Sequence, residues 1–315
     1  MALPPLYGGP WLDLLIKDPL TYARHALRGN SADDSDFARC SPDRPPVLLV
    51  HGFMGTRGAL FLLESRLRAD GFHVFSINLG TLNIQDIRKS AFQIHLAVEK
   101  IMAATGGRVR KIDIIGHSMG GLIALYYLKY MGGDEHVRKL VTLGTPYKGT
   151  WISLLGVTLL GSLSPSTWQM LPGSYFLRML EAVPPPPAVE WTSVIARYDA
   201  LCPPGTARIS PGSNYDLPIG HAGLVLSADV SRVLKRVLRR DHQPTTKTNY
   251  FVMNDGKWSR APVDWEKRAQ SPWGRRPGEE RRAAERRKMP RAGRVEAPRV
   301  VKKAAKTARK RRSRG

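Results

Sequence analysis

Short runs of aliphatic and β-branched residues alternate along the chain with longer segments in which apolar residues recur every three or four positions. The runs are typical of strands buried on both faces, and the longer segments are typical of amphipathic helices. Their alternation predicts an α/β architecture, a mostly parallel sheet with helices on both faces. The predicted strands are 46–50, 72–77, 110–115, 137–143 and 191–196, and the predicted helices are 58–71, 84–104, 122–131 and 224–240.

A long apolar insertion, about residues 148–190, interrupts this alternation between the fourth and fifth predicted strands. Residues 151–163 are apolar nearly all round, and residues 164–189 are rich in proline. Long insertions between strands are usually functional, so this one predicts a lid or binding loop. The alternative is a helix pair that caps the core. The candidate substrate-binding residues are Trp151, Leu154, Leu155, Leu159, Leu160, Trp168, Met170, Leu171 and Phe176.

The first 40 residues predict a helical extension in which residues 10–28 have amphipathic spacing. This segment either packs on the domain or lies on a membrane surface through an apolar face of Trp11, Leu12, Leu15 and Ile16. It lacks the basic start and the length of a secretory signal, and no run in the chain reaches the ~20 apolar residues of a membrane span. These features favour a cytoplasmic protein, with peripheral membrane association as the alternative.

The charge of the chain is concentrated at its C-terminal end. The 315 residues carry a formal net charge of +23, yet 22 of the 49 Lys and Arg and only 6 of the 26 Asp and Glu lie in residues 256–315. Such a composition cannot bury enough apolar surface to fold alone, so we expect a disordered basic tail. The predicted domains are the extension 1–40, a domain over 41–245 and the tail 246–315. The tail is a solvated segment, a binder of polyanions such as nucleic acid, or a binder of anionic membranes.

A Gly-x-Ser-x-Gly motif, Gly116-His-Ser-Met-Gly120, lies directly between a predicted strand and a predicted helix. In this context the serine occupies a strained turn that projects its hydroxyl above the sheet, and the glycines leave room for the crowded backbone. The helix that follows favours negative charge near its first residues. Ser118 is therefore the predicted nucleophile.

A nucleophilic serine needs a base and an acid that orients the base, and in this fold the acid precedes the histidine in the chain. Three histidines follow Ser118. His221 lies in a loop directly before the last predicted helix, whereas His136 lies in a polar turn and His242 begins the basic region, so His221 is the predicted base. Asp199 follows a predicted strand, where open α/β sheets carry their sites, and is preferred as the acid over Asp216, which has no predicted strand before it.

The negative oxygen of a tetrahedral intermediate is usually held by two backbone N–H groups. The N–H of Met119, the residue after the nucleophile, is one predicted donor. The other is the N–H of Phe53, in the turn from His51 to Gly55 that follows the first predicted strand. We interpret His51 as a residue that shapes this turn rather than as a catalytic base.

These motifs resemble the α/β-hydrolase superfamily and, within it, bacterial lipases and esterases. His51-Gly52, the segment from Gly116 to Gly121, and the contexts of Asp199 and His221 carry the resemblance, which covers roughly residues 46–240. The segment Leu143-Gly-Thr-Pro-x-x-Gly-Thr150 is similar to one found in many triacylglycerol lipases. The resemblance implies hydrolysis of carboxylic esters through an acyl-enzyme on Ser118, without a cofactor, and an ester or lipid as substrate.

Several alternatives stay open from the sequence alone. An acyltransferase would use the same triad, and the basic tail leaves room for a polyanion-binding or membrane-surface-binding protein on a hydrolase scaffold. We see no acidic cluster typical of a calcium site, and we expect no metal and no obligate protein partner. Cys40 and Cys202 are too few for a disulfide scaffold, and whether they pair is open; Cys202 is interpreted as a buried free thiol.

Overall fold

The computed structural model describes residues 18–26, 44–80, 82–153, 164–243, 247–254 and 256–260, all within the unit Met1–Ala269. Several predictions lie outside these residues. They are the apolar face at residues 11–16, the lid residues Leu154, Leu155, Leu159 and Leu160, and most of the basic tail.

The described residues contain an eight-stranded sheet with the strand order β2-β1-β3-β4-β5-β6-β7-β8. The first seven strands pair in parallel, and β8 is antiparallel to β7. The strands are β1 (Val47–Val50), β2 (Val74–Ser76), β3 (Ile112–His117), β4 (Val137–Leu143), β5 (Glu190–Ala196), β6 (Gly212–Leu217), β7 (Thr248–Asn254) and β8 (Lys257–Arg260).

The helices cover both faces of the sheet, and all but the first lie after β1 in the chain. They are α1 (Asp18–Ala26), α2 (Phe61–Ala69), α3 (Ile87–Ala104), α4 (Met119–Tyr130), α5 (Pro165–Gln169), α6 (Tyr175–Ala182), α7 (Gly223–Leu226) and α8 (Ala228–Arg239). Short 3-10 turns occupy Arg57–Leu60, Gly133–Glu135 and Pro204–Thr206. None of the helices in the described part of the chain is long and apolar enough to span a bilayer.

The strand residues alternate between two hydrophobic clusters, one on each face. In β1, Leu48 and Val50 pack with α3 and α4, whereas Val47 and Leu49 pack with α2 and α8. Because side chains along a strand point alternately to opposite faces, this is the pattern of a sheet with two covered faces. The prediction of a mostly parallel sheet with helices on both faces is confirmed.

The sheet extends beyond the region that we predicted from composition. Strands β7 and β8 lie after residue 245, where we placed the end of the domain, so the domain reaches at least Arg260 and the predicted tail begins too early. Strand β6 was also missed, and it contains Asp216. Composition accounts for much of this: β6 contains Gly212, Asn214 and Asp216, and β7 contains Asn249 and Asn254, residue types that are depleted in strands.

The described parts of the insertion and of the N-terminal extension pack on the domain. Met170 and Phe176 are buried in the cluster shared by α3 and α4, as the capping alternative requires, whereas Trp151 and Trp168 are 73% and 51% exposed. In α1, the Tyr22 ring packs 5.9 Å from the ring of His117, measured between centroids. The part of the extension that the structure describes is therefore a domain-packed helix.

Candidate active site

Ser118 lies in the sharp turn between β3 and α4, with a φ angle of +53°. A positive φ is uncommon for a residue with a side chain and marks a strained turn. A Cβ atom on Gly120 would lie 2.3 Å from the Val50 carbonyl oxygen, and one on Gly116 would lie 2.6 Å from Gly121 Cα. Both glycines are therefore required for the close packing that holds the serine in its turn.

Two loops at the carboxyl ends of neighbouring strands bring Asp199 and His221 together. Asp199 follows β5, and His221 precedes α7. His221 Nδ1 lies 2.6 Å from Asp199 Oδ2, which is the distance of a strong charge-assisted hydrogen bond. The other carboxylate oxygen, Oδ1, accepts hydrogen bonds from the backbone N–H groups of Leu201 at 2.9 Å and Cys202 at 2.7 Å. Both oxygens of Asp199 are thus engaged, and the carboxylate is fixed in orientation.

The pair lies against the serine turn. The imidazole ring of His117, the residue before Ser118, is 4.9 Å from that of His221 between centroids. Ser118 Oγ has a side-chain contact with Cys202, whose Sγ is 4.0 Å away. Burial favours the neutral form of the His221 imidazole and by itself would lower its pKa. The Cys202 side chain and the hydrogen bond to Asp199 favour the imidazolium, and together they raise the pKa of His221 above its usual value. The site therefore stabilises the charge that the histidine acquires when it accepts a proton.

His136 and Asp216, the alternatives for the base and the acid, lie in other environments. His136 faces Glu99, with Nε2 3.9 Å from Oε1, and does not contact the serine turn. Asp216 lies in β6, where its carboxylate accepts hydrogen bonds from Arg197 Nε at 2.7 Å and from the Tyr250 hydroxyl at 3.1 Å. These hydrogen bonds give Asp216 a structural role, because they join β6 to β7 and to the residue that follows β5.

The turn after β1 approaches the serine closely. A Cβ atom on Gly52 would lie 2.9 Å from Ser118 Cβ, so only glycine fits this position. Asn83, buried and with a positive φ of 47°, donates from Nδ2 to the carbonyl oxygens of His51 at 3.3 Å and Gly52 at 3.2 Å. This side chain anchors the turn that carries Phe53. Asn83 was not predicted as a site residue, and only its position in a polar loop after β2 could have suggested such a role.

Two buried histidines flank the site, and burial lowers the pKa of both. The pKa of His51 falls to about 4, and that of His117 falls well below its usual value, to which the nearby His221 also contributes. In the unfolded chain both groups titrate near pH ~6.5. Both side chains are therefore neutral in the folded protein at neutral pH.

These two pKa values predict that the protein becomes less stable in mild acid. Below pH ~6.5 the unfolded chain binds protons that the folded chain does not, so the free energy of unfolding falls by about 1.4 kcal/mol per pH unit for each histidine. We expect His117→Gln, which cannot titrate, to reduce this slope by about that amount. Urea unfolding of both proteins at pH 7, 6 and 5 measures the slopes. Equal slopes would contradict the assignment of His117 as a neutral buried group.

A family model described as the alpha/beta hydrolase fold matches residues 45–183. Among solved structures, lipase B of Aspergillus fumigatus superposes with a TM-score of 0.56 at 18% identity, covering 69% of this chain and 57% of that one. The mature lipase BlEst2 of Bacillus licheniformis superposes with a TM-score of 0.54 at 18% identity, covering 63% of this chain and 93% of that one. The fold is that of the α/β hydrolases. Sequence identity this low shows the α/β-hydrolase fold and nothing finer.

Two curated relatives of this chain are lipases. A triacylglycerol lipase of Pseudarthrobacter phenanthrenivorans is 33% identical over 114 residues, 34% of this chain and 34% of the relative. A triacylglycerol lipase of Burkholderia plantarii is also 33% identical over 114 residues, 34% of this chain and 31% of the relative. The match thus spans about a third of the length of each relative. Over that third, the sequence of this chain is similar to triacylglycerol lipases.

Proposed function

We propose that this α/β hydrolase is a carboxylic ester hydrolase in which Ser118, His221 and Asp199 form the catalytic triad. The observation that carries the proposal is the 2.6 Å contact between His221 and Asp199 beside a serine in a strained strand–helix turn. A serine hydroxyl is a weak nucleophile unless a base removes its proton, and the base works only in one tautomer. The similarity to triacylglycerol lipases favours esters over other acyl compounds.

In the proposed mechanism the Ser118 hydroxyl attacks the ester carbonyl while His221 Nε2 accepts its proton. Asp199 holds Nδ1 of the imidazole, so that Nε2 presents a lone pair to the serine, and it stabilises the imidazolium that forms. The N–H groups of Phe53 and Met119 would hold the oxyanion, a role usually worth about 10²–10³ in rate for one donor. The imidazolium then protonates the leaving alcohol. Water attacks the acyl-enzyme by the same route and restores the serine.

Exposed apolar side chains next to the site support an apolar acyl group in the substrate. Met54 follows the proposed oxyanion donor Phe53 and is 52% exposed, and Leu201 precedes Cys202 and is 44% exposed. The Thr150 hydroxyl donates to the Leu201 carbonyl, which places the exposed Trp151 near the same loop. Apolar side chains exposed beside a site are typical of a surface that binds something apolar. We propose medium- or long-chain acyl esters, bound through these side chains and the insertion.

We expect hydrolysis of p-nitrophenyl esters to rise from acetate to octanoate or longer chains, because each CH₂ buried from water contributes about 0.8 kcal/mol. Initial rates across a series from acetate to palmitate, below the solubility limit of each ester, measure this dependence. Trp151→Ser should flatten the dependence on chain length while it leaves the rate on acetate within about threefold.

Two results would contradict parts of this proposal. Activity confined to acetate would remove the apolar acyl group but keep the ester hydrolase. Absence of hydrolysis with every ester would contradict the hydrolase itself. In that case transfer of the acyl group to added alcohols would test the acyltransferase alternative, since water is then not the acceptor.

A further inference from the structure

The proposed mechanism leaves one nucleophilic group of the site without a role, the thiol of Cys202. Its Sγ lies 4.0 Å from Ser118 Oγ. Ligand atoms of Asp199, Cys202 and His221 all lie within 4.8 Å of one another. Cys202 is a free cysteine, buried against the loop that Asp199 holds through two backbone hydrogen bonds. A thiol, an imidazole and a hydroxyl therefore face one small volume.

This set of side chains has the chemistry of a zinc site. Zinc prefers cysteine sulfur and histidine nitrogen, at about 2.3 Å and 2.0–2.1 Å. In a tetrahedral arrangement, a sulfur and an oxygen on the same zinc ion would be about 3.5 Å apart. The 4.0 Å between Cys202 Sγ and Ser118 Oγ is within a small side-chain rotation of that separation.

Asp199 supplies the second requirement of such a site. A histidine that binds zinc almost always donates its other ring N–H to a carboxylate or a carbonyl, which fixes the ring. His221 Nδ1 already pairs with Asp199 Oδ2 at 2.6 Å, so Nε2 is the ring nitrogen that an ion would bind, in place of the present interaction between His221 and the Cys202 side chain. The pair that orients the imidazole for proton transfer thus also orients it for a metal.

We propose that Cys202 and His221, together with the Ser118 hydroxyl, bind Zn²⁺ and that the bound ion inhibits the enzyme. Zinc displaces the thiol proton to solvent and bonds to the sulfur, and it occupies the Nε2 lone pair that would accept the serine proton. Water completes the coordination shell. Hard cations such as Mg²⁺ and Ca²⁺ prefer oxygen ligands and do not fit a sulfur–nitrogen pair. The inhibition rests on the proposed function, whereas the binding does not.

The binding test uses isothermal titration calorimetry of ZnCl₂ into the full chain, with MgCl₂ as the comparison cation. Cys202→Ser and His221→Gln should each lose one zinc site or weaken it at least tenfold. Cys40→Ser, which removes the other cysteine, should bind zinc as the wild type does. Thermal unfolding of each variant checks that it is folded. Equal zinc affinity and stoichiometry in the wild type and a folded Cys202→Ser variant would overturn the proposal.

The inhibition test compares the rate of p-nitrophenyl butyrate hydrolysis with and without ZnCl₂, for each protein relative to its own zinc-free rate. We expect zinc to inhibit the wild type and Cys40→Ser at concentrations near the calorimetric Kd and to inhibit Cys202→Ser at least tenfold less effectively. EDTA should restore activity. Equal inhibition of the Cys202→Ser variant would overturn the inhibitory role. A wild type that binds zinc through Cys202 but hydrolyses no ester would instead overturn the proposed function and leave the binding site in place.

Discussion

Replacing Ser118 with alanine should lower ester hydrolysis by at least about 10³-fold without unfolding the protein, because the variant has no group that can form the acyl-enzyme. The residue stands in a turn with a φ of +53°, which alanine tolerates no worse than serine does. Its hydroxyl has only the weak 4.0 Å contact with Cys202 among the side-chain hydrogen bonds of the described residues, so little stability depends on it. The loss should appear in kcat and in kcat/KM alike.

A matched control for this variant is Ser65→Ala on α2. The Ser65 hydroxyl donates to the Phe61 carbonyl oxygen on the exposed side of the helix, at 2.8 Å and away from the site. We expect Ser65→Ala to retain wild-type rates. Active-site titration with a fluorophosphonate probe should label the wild type and this control but leave Ser118→Ala unlabelled. Undiminished hydrolysis in Ser118→Ala would place the nucleophile elsewhere.

Asp199→Asn should be the second most damaging substitution, with a loss of about 10³–10⁴-fold in kcat near pH 7. Asparagine keeps the shape and an oxygen that can accept the two backbone hydrogen bonds now made to Oδ1. An amide NH₂ would then face His221 Nδ1 and donate to it. The imidazole would carry its proton on Nε2, where it has no lone pair for the serine proton. The substitution thus removes the working tautomer while the loop stays in place.

Asp216→Asn is the matched control for the acid. Its carboxylate bonds to Arg197 and Tyr250 and not to His221, so we expect rates within a few-fold of the wild type. The free energy of unfolding of this variant should fall, since the partly buried Arg197 guanidinium loses its paired charge. Chemical denaturation and ester hydrolysis, measured on both variants, separate the two roles. A folded Asp216→Asn protein that lost more activity than Asp199→Asn would reverse the assignment.

The parts of the fold that could be predicted are those in which local sequence demands one backbone geometry. Strand β1 is a continuous apolar run because both of its faces are covered. The glycines around Ser118 predict the sharp turn between β3 and α4, because side chains at Gly116 and Gly120 would collide with backbone atoms. Patterns of this kind depend on neighbours close in the chain or on burial alone.

The missed features depend on partners far along the chain. The sequence of β6 is typical of a polar loop, yet Asn214 donates to the Asn249 carbonyl oxygen at 3.5 Å and Asp216 accepts a hydrogen bond from the Tyr250 hydroxyl in β7. These bonds satisfy polar groups that would otherwise oppose burial in a sheet. Asn83 was missed for the same reason, because its hydrogen bonds to the turn after β1 join two loops. Cys202 is the buried free thiol that the sequence predicted, but its contact with Ser118 also joins two loops and was not predicted. The hydrophobic periodicity of the sequence does not predict contacts of this kind.

The continuation of the sheet past β6 has a practical consequence for any shortened form of this chain. A cut at residue 245, where composition alone places the boundary, would remove β7 and β8 and leave the outer backbone N–H and C=O groups of Gly212–Leu217 without partners. An unprotected edge of this kind is a template for intermolecular strand pairing. Aggregation of that truncated protein would then be mistaken for loss of catalysis. A cut after residue 260 keeps the edge covered and separates solubility from chemistry.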